Sequence, residues 1–288
     1  MNDHLEVLKT YKIYIGGNFP RTESGRYYKV FDSEKELLAN ACLCSRKDVR
    51  DSVKIARGAF DGWKSRSAYN RGQILYRIAE MMESRRAEFV KQLSQIGFSA
   101  SEAEADINAS IDRLIYYAGW TDKYQQVFGS INPVASSHFN FSMLDATGVI
   151  GILAPENSPL LGLVSVIAPV IAGGNTCVVL ASEAYPLPSI TFAEVLNSSD
   201  VPGGVVNILT GKKSELAEHF SSHMDVNTIS YTDKLSAEMK KMIDENASIN
   251  VKRVIKKPVN DWYSEDAFGP YYIIDFQETK TTWHPIGF

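Results

Sequence analysis

Between Gly148 and Gly211 short apolar runs alternate with clusters of Gly, Asn and Pro. Val149 to Leu153, Thr176 to Leu180 and Val205 to Leu209 are Val/Ile/Leu-rich runs, the pattern of parallel strands covered on both faces. Leu160 to Ile171 is apolar on nearly every face, as a helix enclosed within a protein would be. The strand, helix, strand, helix, strand rhythm predicts a doubly wound α/β unit.

The flanking pattern is helical on one side and mixed on the other. Lys12 to Phe19 reads as an edge hairpin around a Gly-Gly turn. Ser45 and Asp48 make a capping box, and Val49, Val53, Ala56, Phe60 and Trp63 then recur at steps of four and three. A second helix is expected from about Arg71 and a third from about Ser101 to Gly119-Trp120. Phe139, Phe141 and Met143 alternate with Asn140, Ser142 and Leu144, which predicts a projecting strand. After Gly211 the pattern gives a helix near Ser214 to Ser221, a strand at Thr228 to Tyr231, a helix from Leu235 and a strand at Val251 to Ile255.

Composition narrows the partners. At 288 residues and 44% apolar content the chain has an ample core, and a net charge of −4 without a basic stripe argues against nucleic acid. Cys42, Cys44 and Cys177 are too few and scattered for a disulfide framework, which fits a reducing cytosol. No apolar run is long enough for a membrane span and Met1 to Tyr14 lacks a signal-peptide core, so a soluble cytoplasmic protein is expected. The five histidines form no ligand set; His219 and His223, spaced by four, lack a third partner nearby, so no metal is expected.

The blocks Gly-Val-Ile-Gly-Ile-Leu-Ala-Pro-Glu-Asn-Ser-Pro-Leu, Ala-Gly-Gly-Asn-Thr and Pro-Gly-Gly-Val-Val-Asn-Ile-Leu-Thr-Gly, in this order, resemble the coenzyme-binding half of the aldehyde dehydrogenase family. The helices before them, from Ala59-Phe60 to Ala118-Gly119-Trp120, resemble that family's amino-terminal region. The resemblance implies a Rossmann-like coenzyme domain over residues 1–126 and 147–266, with an oligomerisation hairpin and tail over 127–146 and 267–288. The family's catalytic domain, which would follow the strand at Val251, is missing: from Trp262 the chain passes directly to Tyr271–Trp283, which resembles the closing strand of the family. The combination is most similar to the truncated second unit of family 16 aldehyde dehydrogenases.

The chemistry the resemblance implies is largely displaced. The family's reaction uses a cysteine thiolate and a glutamate base, but no cysteine follows Cys177, which lies in a strand run as a small hydrophobe. Asn250-Val251-Lys252-Arg253-Val254 matches the approach to the base, and Lys257 then takes the glutamate's place, where an ammonium cannot accept a proton. Asn157 matches the oxyanion asparagine, with a turn residue satisfying local backbone donors as its structural alternative. Glu156 replaces the family's tryptophan and Ser158 the aromatic after the asparagine.

For the cofactor, Pro155, Glu183 and Gly211 are the candidate contacts, whereas Leu180 matches the ribose-binding lysine, a loss of roughly 1.5 to 3 kcal/mol. Gly203, Gly204 and Gly211 read as turn glycines before phosphate ligands. Asp233-Lys234-Leu235 matches the family's Gly-Ser-Thr at a helix start, and a carboxylate there repels phosphate by roughly 4 kcal/mol at about 4 Å and an effective dielectric of about 20. Lys234 is the residue expected to offset part of this repulsion.

These departures point to a pseudoenzyme with an assembly or binding role and no cofactor, or only weak NAD(P) binding. Its expected partners are copies of itself or a full-length aldehyde dehydrogenase. The alternatives are an NAD(P)-dependent oxidoreductase completed by a catalytic half from another chain, and a module that binds nucleotides or small anions. Two apolar alternations, Phe139-Phe141-Met143 and Tyr272-Ile274-Phe276, lead to the expectation that Tyr271 to Trp283 pairs across a subunit boundary.

Overall fold

A computed structural model describes residues 9–287. An antiparallel ribbon, β1 (Tyr27–Phe31) and β2 (Leu37–Cys42), leads into α1 (Arg46–Lys64), α2 (Ala68–Ser84), α3 (Arg86–Gln95), α4 (Ala100–Trp120) and α5 (Tyr124–Phe128). The capping box at Ser45 is formed, and the stripe from Val49 to Trp63 is buried. The hairpin β3 (Ser130–Asn132) and β4 (His138–Ala146) follows.

The wound unit then runs β5 (Val149–Leu153), α6 (Leu161–Ala172), β6 (Thr176–Leu180), α7 (Leu187–Asn197), β7 (Val206–Leu209), α8 (Lys213–Ser222), β8 (Thr228–Tyr231), α9 (Ala237–Ile249) and β9 (Arg253–Lys256). These five strands form one parallel sheet in the order β7-β6-β5-β8-β9. This is the expected α/β Rossmann-like architecture. β5, β6, β7 and β8 are buried along their whole length, which is why they read as unbroken apolar runs. One face is covered by α2, α3, α4, α6 and α7 and the other by α1, α8 and α9. The strand order reverses between β5 and β8, so the crevice at their carboxyl ends is the place where such sheets bind ligands.

The family-like blocks build this frame. Asn175 accepts from Gly148 N at 2.9 Å and donates to Phe276 O at 3.0 Å, joining the start of β5 to the tail. Asn207 accepts from Gly16 N at 3.0 Å and donates to Cys177 O and Gly204 O, joining the edge hairpin to β6 and β7. Gly203 is required because a Cβ there would meet Gly16 O at 2.5 Å.

Two expectations need correction. The stretch Arg86–Gln95 forms a separate helix, α3, with Phe89 and Leu93 fully buried. Tyr271–Ile274 is a short helix, α10, and only Gln277–Pro285 forms the closing strand β10. The apolar spacing in this region is three rather than two: Ile273 and Phe276 are the buried pair, with Pro270 as the cap residue of the turn. β10 pairs antiparallel with β4 of the same chain along nine residues, Gln277 opposite Ala146 through Pro285 opposite His138. One edge of the tail is thereby satisfied within the chain, and the three-stranded order is β10-β4-β3.

The connection from β9 to α10 lies against α4 and α6 as a built plug. Arg113 of α4 is buried and donates to Ser165 Oγ at 2.7 Å, Trp262 O at 3.0 Å and Ala267 O at 3.2 Å, with Phe268 4.2 Å from its guanidinium carbon. Seven positions earlier, on the same face, buried Asp106 accepts from Leu161 N at 3.1 Å and Tyr263 Oη at 3.2 Å. Trp262 and Ala267 pack with Leu161 beneath this polar pair.

Arg113→Met should therefore cost about 2 to 4 kcal/mol, because it leaves two buried carbonyls unpaired. Urea unfolding checks this, and a loss below about 0.5 kcal/mol would show that the plug does not depend on the guanidinium. Burial pushes the Asp106 carboxyl up to about 6 in spite of the Leu161 and Tyr263 bonds. The folded chain then binds the proton more tightly than the unfolded one. This group's contribution is full below the ordinary aspartate range and declines as pH rises from about 4 to about 6. Asp106→Asn should flatten stability across that window, which denaturant midpoints measured from pH 4 to 7 would reveal.

Candidate functional site

The crevice between β5 and β8 is occupied by a closed ionic arrangement. Lys213 opens α8, directly after the Gly211-Lys212 turn that ends β7, and its side chain passes beneath the loops that follow β5 and β8. The residue is only 8% exposed. Its ammonium meets three acceptors: Ala154 O at 2.7 Å, Glu156 Oε1 at 2.9 Å and Asp233 Oδ2 at 2.5 Å. Two hydrogen bonds, to Ala154 O and Asp233, and an ion pair with Glu156 compensate the buried ammonium.

Glu156 is satisfied from the other side. Ser182 Oγ donates to its Oε2 at 2.7 Å, and Glu183 N and Ala184 N donate at 3.1 and 3.3 Å. Burial alone would raise its pKa, but the Lys213 charge and the bonds from Ser182, Lys213 and Glu183 outweigh it and hold the carboxyl below the usual glutamate range. Asp233 also accepts from Glu156 N, at 3.2 Å. The loops after β5, β6 and β8 and the start of α8 are thus tied into one unit.

The sequence-predicted residues fall around this unit with changed roles. Asp233 is neutralised by Lys213, whereas Lys234, the residue expected to offset it, is exposed. Leu180 is buried in the core with Leu209 and Leu216, so the place of a ribose-binding lysine is apolar and filled. Glu183 contributes its backbone N–H to Glu156. Gly211 serves packing: a Cβ there would meet Leu216 Cδ1 at 2.9 Å. Pro155 is buried against α6, where a Cβ on Gly162 would meet its Cγ at 2.5 Å.

Asn157 is exposed beside a hollow of about 210 Å³ that also takes in Lys234, Asn260 and Trp262. Among the described residues its side chain makes no hydrogen bond, so the turn role expected for it belongs to its neighbour: Ser158 Oγ accepts from Gly162 N at 2.8 Å. Lys257 is paired with Asp275 and lies 3.9 Å from the centre of the Tyr272 ring. An ammonium held by a carboxylate and an aromatic face offers donors and no acceptor, the opposite of a base.

Neither buried cysteine is a ready nucleophile. Cys177 is fully buried in β6 and burial pushes its thiol far up; Cys44 is buried and raised for the same reason. Cys42 Sγ lies 3.7 Å from Tyr11 O. Among the described residues no group of three or more His, Cys, Asp or Glu could hold a metal, and no helix is long and apolar enough to cross a membrane.

A dinucleotide's pyrophosphate needs free backbone N–H groups and unpaired cations at this switch point. Here Lys213, Glu183 N and Ala184 N are all engaged, and two carboxylates, Glu156 and Asp233, line the crevice. The residues do not fit that group. Lys213 and Ser182, which decide this, carry no sequence signal of their own; their only cue is position, just past the carboxyl ends of β7 and β6.

Comparison with known proteins places this geometry. The aldehyde dehydrogenase family matches residues 20–257. The chain is 34% identical over 251 residues to the cytosolic 1 aldehyde dehydrogenase of Elephantulus edwardii, covering 84% of this chain and 49% of that one. It is 32% identical to the cytosolic 10-formyltetrahydrofolate dehydrogenase of Pongo abelii, covering 85% of this chain and 28% of that one. Among solved structures, the NAD+ complex of a Bacillus cereus aldehyde dehydrogenase superposes with a TM-score of 0.81 at 26% identity, over 86% of this chain and 50% of that one. PnpE in complex with nicotinamide adenine dinucleotide gives 0.82 at 26%, over 87% and 51%. The chain spans about half the length of most of these relatives. It belongs to the aldehyde dehydrogenase family.

Proposed function

We propose that the chain is a catalytically inactive aldehyde dehydrogenase-like protein, built on the plan of a truncated second unit of family 16 and used for assembly. The observation that carries this reading is the Glu156–Lys213–Asp233 arrangement, which fills the crevice a dinucleotide would need. The Lys257–Asp275 pair at the place of the base supports it, as does the inaccessibility of Cys177.

The assembly role rests on the projecting sheet. By register, Phe139, Phe141 and Met143 of β4 share one face with Ile131 of β3 and with Thr282 and Lys280 of β10. Phe139 and Met143 are 42% and 50% exposed, Ile131 is 72% exposed, and the Phe139 and Phe141 rings lie 5.5 Å apart. Adjacent exposed apolar side chains on one face of the sheet, with the outer edge of β10 unpaired among the described residues, suit a second copy or a full-length relative. The contact proposed is this face together with the outer edge of β10, since the inner edge already pairs with β4.

The purified chain should show no aldehyde oxidation with NAD or NADP above background, and calorimetry should find NAD binding at about millimolar or weaker. A micromolar constant for the unmodified chain would overturn the reading. Sedimentation at micromolar concentration should give a dimer or larger. The double variant Phe139→Glu, Met143→Lys should dissociate it without loss of helical signal; a monodisperse monomer for the unmodified chain would remove the assembly role.

A further inference from the structure

We infer that the loop after β6 together with Lys213 is an oxyanion-binding site whose ligand is the chain's own Glu156 carboxylate. The inference rests on the reading above that the crevice does not serve a dinucleotide. Three donors and one cation converge on one carboxylate: the Ser182 hydroxyl at 2.7 Å, the N–H groups of Glu183 and Ala184 at 3.1 and 3.3 Å, and the Lys213 ammonium paired at 2.9 Å. Two backbone N–H groups in sequence beside a hydroxyl and a cation are the donor set with which proteins bind carboxylate and phosphate groups.

The donors are placed independently of Glu156. Ser182 Oγ also accepts from Tyr185 N at 3.1 Å, closing the turn from which Glu183 and Ala184 point. Lys213 is anchored separately by Ala154 O and Asp233. Removing the Glu156 side chain would therefore leave a preformed, solvent-accessible pocket lined by the Lys213–Asp233 ion pair and three uncharged donors. Such a vacancy takes a small oxyanion of carboxylate or phosphate type. A larger ligand is disfavoured because Leu180 and the Gly211 turn leave no room toward the core. In the unmodified chain the anion is tethered, so its effective concentration exceeds that of a free competitor in the millimolar range.

The test is chemical rescue. Glu156→Ala should lower the melting temperature, and formate, acetate or inorganic phosphate, at chloride-matched ionic strength, should restore it saturably with a dissociation constant in the millimolar range. The unmodified chain should bind these anions at least about tenfold more weakly. The relative strength of acetate and phosphate distinguishes a carboxylate site from a phosphate site. Adding Ser182→Ala to Glu156→Ala should abolish the saturable response. If Glu156→Ala does not fold, Glu156→Ser takes its place, and recovery of folded protein by phosphate is the readout. Equal, non-saturating anion effects on variant and parent, or failure of every anion to recover either variant, would overturn the inference. NAD binding by the unmodified chain tests the underlying reading separately: weak NAD binding with no rescue refutes only the resident anion.

Discussion

A buried ammonium needs three acceptors, and much of this molecule's character follows from how Lys213 finds them. A cation at the first turn of a helix is opposed by the helix dipole, and a lysine in a low-dielectric crevice is costly unless paired. Ala154 O, Glu156 and Asp233 meet both demands, and they come from two different strand ends. Their presence converts the most open part of a doubly wound sheet into an internally satisfied core. The charges do not cancel within the triad, since two carboxylates face one ammonium. The remaining negative charge is met by the N–H groups of Glu183 and Ala184 and the hydroxyl of Ser182.

A second pair of buried charges, on α4, solves a different problem. A chain that leaves the sheet at β9 and returns at β10 must cover the apolar surface of α6 at the crevice end. Trp262 and Ala267 supply the cover, but an irregular segment brings backbone carbonyls that need donors. Arg113 supplies them from a regular helix, with two carbonyls on one guanidinium, while Asp106 orders the first turn of α6 and receives the Tyr263 hydroxyl. The connection is therefore specified by α4 as much as by its own residues.

The fold was legible because its signals are local. The strands from Val149 to Tyr231 and the helices α1, α4, α6 and α8 follow from apolar period and caps read within a few turns. The tail was misread where tertiary packing overrode propensity: Tyr271-Tyr272-Ile273-Ile274 has strand composition, yet Ile273 fits against Gly173 only on a helical turn. The site was half legible. Each departure at Glu156, Leu180, Asp233 and Lys257 was visible as a single residue, but their consequences are pairwise and long-range. Asp233 reads as a repulsive charge beside Lys234, whereas its partner lies twenty positions away, and Lys257 is neutralised by Asp275, eighteen positions away. Nothing in the sequence around Lys213 sets it apart from a solvated lysine at a helix start.

That interdependence bears on what the departures mean. Glu156 alone in the crevice would be a half-buried carboxylate near a second carboxylate, each raising the other's proton affinity. Lys213 alone would be a buried cation against a helix dipole. Together they satisfy one another, and the Glu156 carboxylate engages the hydroxyl of Ser182 and the N–H groups of Glu183 and Ala184. Lys257 follows the same logic at the other end of the crevice, where Asp275 and the Tyr272 ring fix the ammonium in place. Both clusters give the loops at the carboxyl edge of the sheet partners from within the chain.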